Sequence, residues 1–119
     1  MEIPKIFDSE YRFCLILWEN EPVNSTRLVQ LCNEQLGWSK ATTYTVIRRL
    51  GERGVLKNEN ATVTALVSKE AVQVAELDEM VERTFEGSIP AFIAAFAKSK
   101  KLSAEEVAQL QALIDNYKE

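Results

Sequence analysis

Basic side chains are concentrated in one short stretch of the sequence, between residues 40 and 57. Five basic residues and one acidic residue give this stretch a net charge of +4. They are Lys40, Arg48, Arg49, Arg53, Lys57 and the acidic Glu52. Clustered lysine and arginine bind phosphate groups even on a protein of negative overall charge. The chain has 14 Lys and Arg against 18 Asp and Glu, and the excess of acid lies after residue 60. The stretch is therefore a candidate nucleic-acid contact.

Residues for catalysis or metal binding are scarce. The 119 residues include no histidine, and the two cysteines, Cys14 and Cys32, lie on apolar stripes where burial is expected. Without histidine, Ser-His and Cys-His nucleophiles and most zinc sites are excluded. No acidic spacing or glycine-rich loop suggests a bound metal or phosphate cofactor. The sequence predicts a protein without cofactor or metal, and an enzyme is the weakest of the alternatives.

The elements that position the basic stretch begin with two helices. We expect Asp8 to cap the first helix, which ends before Pro22. Asn24 or Ser25 caps a second helix, and Gly37 ends it. Two short helices joined by few residues to a third are typical of a helix-turn-helix.

The third helix and a hairpin complete the first part of the chain. Ser39 is expected to cap this helix and Gly54 to end it. Residues 55–57 are then extended, Glu59 and Asn60 turn the chain, and the alternating residues 61–67 return. The predicted fold class is mainly α, a winged helix-turn-helix with a small β-hairpin wing and a C-terminal helical region. The predicted domains are residues 1–68 and 69–119.

The outward face of the third helix has the chemistry of a DNA reader. With Val46 and Ile47 inward, that face carries small hydroxyl, aromatic and basic side chains. The candidate DNA-binding residues, including one at the base of the wing, are Lys40, Ala41, Thr42, Tyr44, Thr45, Arg48, Arg49 and Lys57. Threonine meets base edges and thymine methyl groups, and arginine reaches guanine or phosphate. An ordinary solvated helix face is the alternative. The wing tip has no cation, so little affinity is expected from it.

After Ser68 the pattern is helical again, with more apolar surface than three helices bury alone. The residues expected to form a dimer interface are Leu77, Val81, Phe85, Phe92, Ile93, Phe96, Leu110 and Ile114. Packing of these helices back on the N-terminal domain is the alternative. No apolar run approaches the ~20 residues that cross a bilayer, and no secretion signal is present. We therefore expect a cytoplasmic protein with no membrane partner.

An ordered series of short segments resembles the penicillinase repressor family, which includes the methicillin-resistance repressor and the copper-responsive repressors. In the first half they are Asp8-Ser9-Glu10-Tyr11, Trp18, Trp38-Ser39, Thr42-Thr43-Tyr44-Thr45, Arg49-Leu50, Arg53-Gly54 and Leu56. In the second half they are Phe85-Glu86-Gly87-Ser88 and Leu102-Ser103 through Leu110. The resemblance covers nearly the whole chain.

The resemblance implies a homodimeric bacterial repressor. Its winged helix would bind one half of a palindromic operator in double-stranded DNA, and its C-terminal helices would form the dimer. Carried over residue by residue, the positions facing DNA are Lys40, Ala41, Thr42 and Thr45, with Arg48 and Arg49 near phosphates. A regulatory protease is a further partner that the family implies.

Three departures from the family pattern matter. The family's wing carries Gly-Arg followed by aromatic residues, whereas residues 60–63 here are Asn-Ala-Thr-Val. The Asn-Phe bond that is cut in the beta-lactam branch corresponds here to Ala95-Phe96. No cysteine follows Cys32, which excludes the C-terminal cysteine cluster of the copper branch. The rival hypothesis is a winged-helix protein-interaction module that does not bind DNA.

Overall fold

A computed structural model describes residues 2–117. The elements along the chain are α1 (Asp8–Asn20), β1 (Val23–Asn24), α2 (Ser25–Leu36), α3 (Lys40–Glu52), β2 (Leu56–Glu59), β3 (Thr62–Ala65), α4 (Lys69–Phe85), α5 (Ile89–Ser99) and α6 (Ala104–Asp115). They form two compact units, which divide between Glu76 and Leu77 inside α4. The predicted fold class, a winged helix-turn-helix followed by helices, is confirmed.

The start of α1 differs from the prediction by one residue. Asp8 is the first helical residue, and Phe7 occupies the N-cap position. The carboxylate of Glu10 accepts a hydrogen bond from the Phe7 backbone N–H at 3.0 Å. Because Glu10 reaches back over the first turn, the side chain of Asp8 is not needed as a cap.

The caps of the next two helices agree with the prediction. The side chain of Asn24 accepts from the N–H of Thr26 at 2.8 Å, and α2 ends at Gly37, whose φ is +71°. Ser39 accepts from the N–H of Thr42 at 3.1 Å at the start of α3. The short connection between Gly37 and Ser39 holds α2 and α3 as a helix-turn-helix pair.

The wing is a hairpin of β2 and β3 in which Glu59 pairs with Thr62. Its two central residues are Asn60 and Ala61, at φ +51° and +65°, one position later than predicted. The short strand β1 adds a third, unpredicted strand, giving the order β1-β3-β2 with Val23 opposite Val63. Two residues are too few to carry a sequence signal, so β1 arises from its pairing with β3.

The core of the first unit is formed by α1–α3 and the sheet. Its fully covered side chains include Phe13, Leu17, Leu28, Leu50, Leu56 and Val63. Both tryptophans pack against this core: Trp38 stacks on Phe13 at 6.1 Å, and Trp18 donates to the Val67 carbonyl at 2.9 Å. Val72 of α4 also belongs to this core. For that reason the first unit continues past the domain boundary predicted after residue 68.

The second unit contains the end of α4 together with α5 and α6. Phe85 and Phe92 meet edge to face at 5.7 Å, and Phe96 lies 6.4 Å from Phe92. Ser88 caps α5, and Ser103 with Glu106 forms a capping box at the start of α6. Neither α5 nor α6 has a fully buried residue in the single chain.

Candidate nucleic-acid interface

The first turns of α3 present small polar and basic side chains to solvent. Lys40, Ala41 and Thr42 are exposed, and Thr45 is half-buried one turn later. No acidic residue lies in the first turn, so the positive end of the helix dipole is not neutralised there. Ser39 also donates its hydroxyl to the Thr42 hydroxyl oxygen at 3.0 Å. The cap thus fixes the side chain of Thr42 as well as the backbone of the helix.

Tyr44 has a packing role on the flank of this face. Its ring packs against the core, and its hydroxyl lies 3.3 Å from the hydroxyl of the buried Ser25. This contact joins α3 to the first residue of α2. Only the exposed edge of Tyr44 remains available to a ligand. This is a smaller surface than the sequence suggested.

The cations on α3 and the wing differ in their local partners. Arg48 pairs with Glu52 at 3.2 Å, and Lys57 pairs with Glu59 at 3.7 Å. Lys40 and Arg49 have no acidic partner among residues 2–117. Lys40 and Arg49 therefore present the least compensated positive charge of the region.

Arg53 does not belong to this surface, although it contributed to the charge of the basic stretch. Its guanidinium forms an ion pair with Glu10 and donates to the Lys5 carbonyl at 2.8 Å. The Glu10 side chain is 8% exposed. Glu10 precedes Arg53 by 43 residues, so nothing in the local sequence indicated this pairing. The cations that remain for a ligand are Lys40, Arg48, Arg49 and Lys57.

A groove of about 620 Å³ lies between the outer surfaces of α3 and β2. Tyr44, Ile47 and Leu56 contribute to its lining, together with Arg48, Glu52, Lys57, Asn58 and Leu66. At the tip of the wing the Ala61 carbonyl accepts from the Ser25 N–H at 2.7 Å. The tip is therefore tied to the start of α2.

Two exposed residues at the start of α2 were not among the predicted DNA-binding residues. Thr26 and Arg27 lie in the first turn of α2, which has no acidic residue. Arg27 donates to Gln30 at 3.3 Å within the same helix. In a helix-turn-helix the first helix crosses the DNA backbone. This general rule could have identified Thr26 and Arg27 as candidate phosphate contacts.

The candidate dimer residues fall into two groups. Five are exposed in the single chain, namely Leu77, Ile93, Phe96, Leu110 and Ile114. Phe85 and Phe92 are half-buried in contact with each other, and Val81 is only 3% exposed. Val81 is already covered within one chain, which leaves little of its side chain for a partner, and its place in the dimer interface stays a prediction. An apolar groove of about 840 Å³ lies between α5 and α6.

The buried cysteines do not form a reactive site. Burial, with a smaller contribution from the charge of Glu10, raises the pKa of Cys14 to about 12, although Arg53 lowers it. Burial raises the pKa of Cys32 to about 11, although the Thr43 hydroxyl lowers it. Within residues 2–117, no three His, Cys, Asp or Glu side chains are grouped to hold a metal ion. No helix in this range is long and apolar enough to cross a membrane.

Comparison with known proteins gives consistent results along the chain. The family model described as "Penicillinase repressor" matches residues 6–116. The penicillinase repressor of Bacillus licheniformis is 21% identical over 121 residues, covering 98% of this chain and 94% of that protein. The methicillin resistance regulatory protein MecI of Staphylococcus aureus (strain Mu50 / ATCC 700699) is 21% identical over 115 residues, covering 93% and 94%.

A solved structure is similar in fold to part of this chain. It is the solution structure of the monomeric form of BlaI from Bacillus licheniformis in complex with the blaP half-operator. The TM-score is 0.51 at 23% sequence identity, over 58% of this chain and 89% of that one. The family match spans most of the chain. The chain belongs to the penicillinase repressor family.

Proposed function

We propose that the protein is a homodimeric transcriptional repressor that binds a palindromic operator through α3. The relatives are named as repressors and regulatory proteins, and the family is not one of enzymes. The structural neighbour was solved with half-operator DNA. The single observation that carries the proposal is the exposed first turn of α3, where Lys40 and Thr42 stand at an uncompensated positive helix end.

In this proposal α3 reads bases and its cations hold the backbone. Ala41, Thr42 and Thr45 are small enough for close approach of the helix to the floor of the major groove. Threonine hydroxyls bond base edges, and their methyl groups contact thymine. Arg48 and Arg49 lie farther along the helix and reach phosphates. Lys57 is placed to do the same from the wing.

The start of α2 supplies a second backbone contact. Thr26 and Arg27 are exposed at a helix end without acidic residues. In helix-turn-helix proteins the helix before the reading helix crosses the phosphate backbone. A hydroxyl and a guanidinium at this position suit phosphate oxygens.

The second unit forms the dimer. The helix α5 is apolar on nearly every side, and α6 exposes Leu110, Leu113 and Ile114 along one face. Apolar surface of this extent is stable in water only when another surface covers it. A second copy covers it by two-fold symmetry, which in turn requires a palindromic site with half-sites one helical turn or a multiple of it apart.

A regulatory protease and a cytoplasmic location complete the proposal. The position of the family's cleaved bond, Ala95-Phe96, lies inside α5, where Ala95 is half-buried. Because proteases cut extended chain, cleavage there requires α5 to unfold locally first. The cytoplasm is the place where a bacterial repressor meets chromosomal DNA.

The decisive experiment is selection of genomic DNA fragments by the purified full chain, followed by binding titrations over a range of salt. We expect an enriched inverted repeat and an affinity that falls steeply with salt. Each phosphate contact contributes roughly 0.9 to the slope of log K against log[salt]. The second candidate, an interaction module, is favoured by the net charge of −4 and by Glu59 beside the wing tip. It would be supported if no fragment were enriched.

A further inference from the structure

The acidic residue at the end of α3 is poorly explained by helix stability. Glu52 is the last residue of α3, where the negative end of the helix dipole disfavours a carboxylate. It pairs with Arg48 one turn earlier, at 3.2 Å. This order, base before acid, is the weaker of the two possible i,i+4 arrangements. Both side chains are 64% exposed, so the pair adds little to folding.

The chain uses the favourable order elsewhere. On α4, Glu79 precedes Arg83 by four residues, and the two side chains pair at 3.3 Å with similar exposure. In that order the acid lies toward the N-terminus and the base toward the C-terminus, as the helix dipole favours. Helix stability therefore does not explain a glutamate at position 52. The residues around Glu52 suggest another role for it.

Glu52 lies in the groove between α3 and β2, and its neighbours there are the two acid-paired cations. Arg48 and Lys57 line the same groove, and the partner of Lys57 is Glu59 at 3.7 Å. Lys40 and Arg49, the other cations of the region, have no acidic partner within residues 2–117. The cations of this surface that are paired with a carboxylate are therefore the ones that line the groove.

We infer that Glu52 is a specificity-determining residue, which keeps Arg48 from binding the phosphates of DNA of unrelated sequence. The inference rests on the proposed function. Every duplex offers phosphates, so a helix with free cations binds all sequences. A carboxylate that holds the guanidinium competes with phosphate for it and repels the phosphate as well. On the operator, base contacts from Thr42 and Thr45 fix the register of α3, so a freed Arg48 gains less there than on unrelated DNA, where the helix can shift until Arg48 meets a phosphate.

The test compares two duplexes of equal length, a fragment enriched from the genome and a shuffled sequence of the same composition. Binding of the full chain is measured by fluorescence anisotropy over a range of salt. For Glu52→Gln, affinity for the shuffled duplex should rise roughly three- to tenfold, in line with loss of an exposed ion pair at two subunits. Affinity for the enriched fragment should rise less, so the ratio of the two falls. The salt slope on shuffled DNA should steepen by up to about 0.9 per subunit.

Two controls separate this role from a general change of charge. Glu79→Gln removes the same charge from a matched i,i+4 pair outside α3 and should leave the affinity ratio unchanged. In an Arg48→Ala background, Glu52→Gln should have a much smaller effect, because its partner is missing. Thermal unfolding of Glu52→Gln should match that of the parent or lie slightly higher.

The outcomes distinguish this inference from the proposed function. If the parent does not prefer the enriched fragment, both are overturned. If the parent discriminates but Glu52→Gln strengthens binding to the two duplexes equally, the specificity role alone is overturned. If Glu52→Gln weakens binding to the enriched fragment, Glu52 contacts the operator directly, for example at a cytosine amino group, and the inference is wrong.

Discussion

Arg53, the C-cap residue of α3, forms an ion pair with Glu10 in the first turn of α1. The same guanidinium donates to the Lys5 carbonyl and lies 5.5 Å from the centre of the Phe7 ring. Glu10 in turn accepts from the Phe7 N–H. One pair of side chains therefore holds together the N-terminal segment, the start of α1 and the end of α3.

Removal of Arg53 should destabilise the fold more than removal of an α3 surface cation. Arg53→Ala leaves the carboxylate of Glu10 buried without its cation, at a cost of about 2–4 kcal/mol in the free energy of unfolding. This is below the cost for a fully buried pair, because the Arg53 side chain is 29% exposed. Urea denaturation measures the change. Arg48→Ala is the control, expected to cost less than about 1 kcal/mol. An Arg53→Ala cost no larger than that of the control would contradict this role.

The two thiols predict a loss of stability in alkali. The pKa of Cys14 is raised to about 12 and that of Cys32 to about 11, mainly by burial, from an ordinary value of 9.0. Because folding favours the protonated thiols, their contribution to stability is complete below pH 9.0 and is lost as the pH rises toward 11 and 12.

The measurement is urea denaturation at about pH 8 and about pH 10, which lie on the two sides of the ordinary thiol pKa. The parent should lose more stability between these two pH values than a Cys14→Ala, Cys32→Ala variant, whatever the variant's stability at the lower pH. In native protein at the lower pH, both thiols should resist alkylation and react only on unfolding. Equal losses in parent and variant would show that the thiols do not govern this pH dependence.

Local signals predicted most of the helical framework. Ser39 caps α3 and Gly37 ends α2 at positive φ, as expected, because caps depend on a few adjacent residues. Helical periodicity likewise placed Thr42 and Arg48 on an exposed face. These features require no knowledge of the rest of the fold.

Features that depend on distant partners could not be predicted in this way. The strand β1 exists because Val23 pairs with Val63, and Arg53 turns toward a carboxylate 43 residues earlier. The wing turn is set by the pairing of β2 with β3, which places Ala61 rather than Glu59 in the turn. Val81 looked available from its periodicity, but packing within the chain covers it.

Ala61→Gly should stabilise the wing. Ala61 has φ +65°, a conformation that costs a residue with a Cβ roughly 1–2 kcal/mol, and Asn-Gly is the preferred pair for such a two-residue turn. After the extra chain entropy of glycine, we expect a gain of about 0.5–1 kcal/mol in urea denaturation. Ala41→Gly, in the first turn of α3, is the control and should cost up to about 1 kcal/mol. A destabilised Ala61→Gly variant would contradict the turn geometry.

Arg49 should contribute more than Arg48 to the salt dependence of DNA binding. Arg48 must give up its ion pair with Glu52 to bind a phosphate, whereas Arg49 has no acidic partner within residues 2–117. A phosphate contact made by Arg48 therefore contributes less free energy of binding than one made by Arg49. Arg49→Ala should lower the slope of log K against log[salt] by about 0.9 per subunit, and Arg48→Ala by less. Thr45→Ala should instead leave the slope unchanged and relax base preference at one position, at about 1–3 kcal/mol. Equal slopes for the two arginine variants would refute this ranking.

Dimerisation should depend on the exposed apolar face of α6. Ile114 is 67% exposed in the single chain although it is aliphatic, and it lines the groove between α5 and α6. Burial of such a side chain by a second copy contributes about 1.5–3 kcal/mol, once in each subunit. Ile114→Glu replaces this gain by the cost of a buried carboxylate. The full chain should sediment as a dimer at micromolar concentration, and Ile114→Glu as a monomer that binds the palindrome far more weakly.

The matched control for Ile114→Glu is Ala112→Glu, since residue 112 is exposed and lies on the opposite side of α6. That variant gains the same charge and should remain a dimer with the operator affinity of the parent. Truncation serves the same purpose only when the cut follows Glu76, because a shorter fragment loses Val72 from the core of the first unit. A fragment of residues 1–76 should be monomeric and should bind a half-site with the same base preference as the full chain. A parent that sediments as a monomer, or an Ile114→Glu variant that stays dimeric, would show that this face is not the dimer interface.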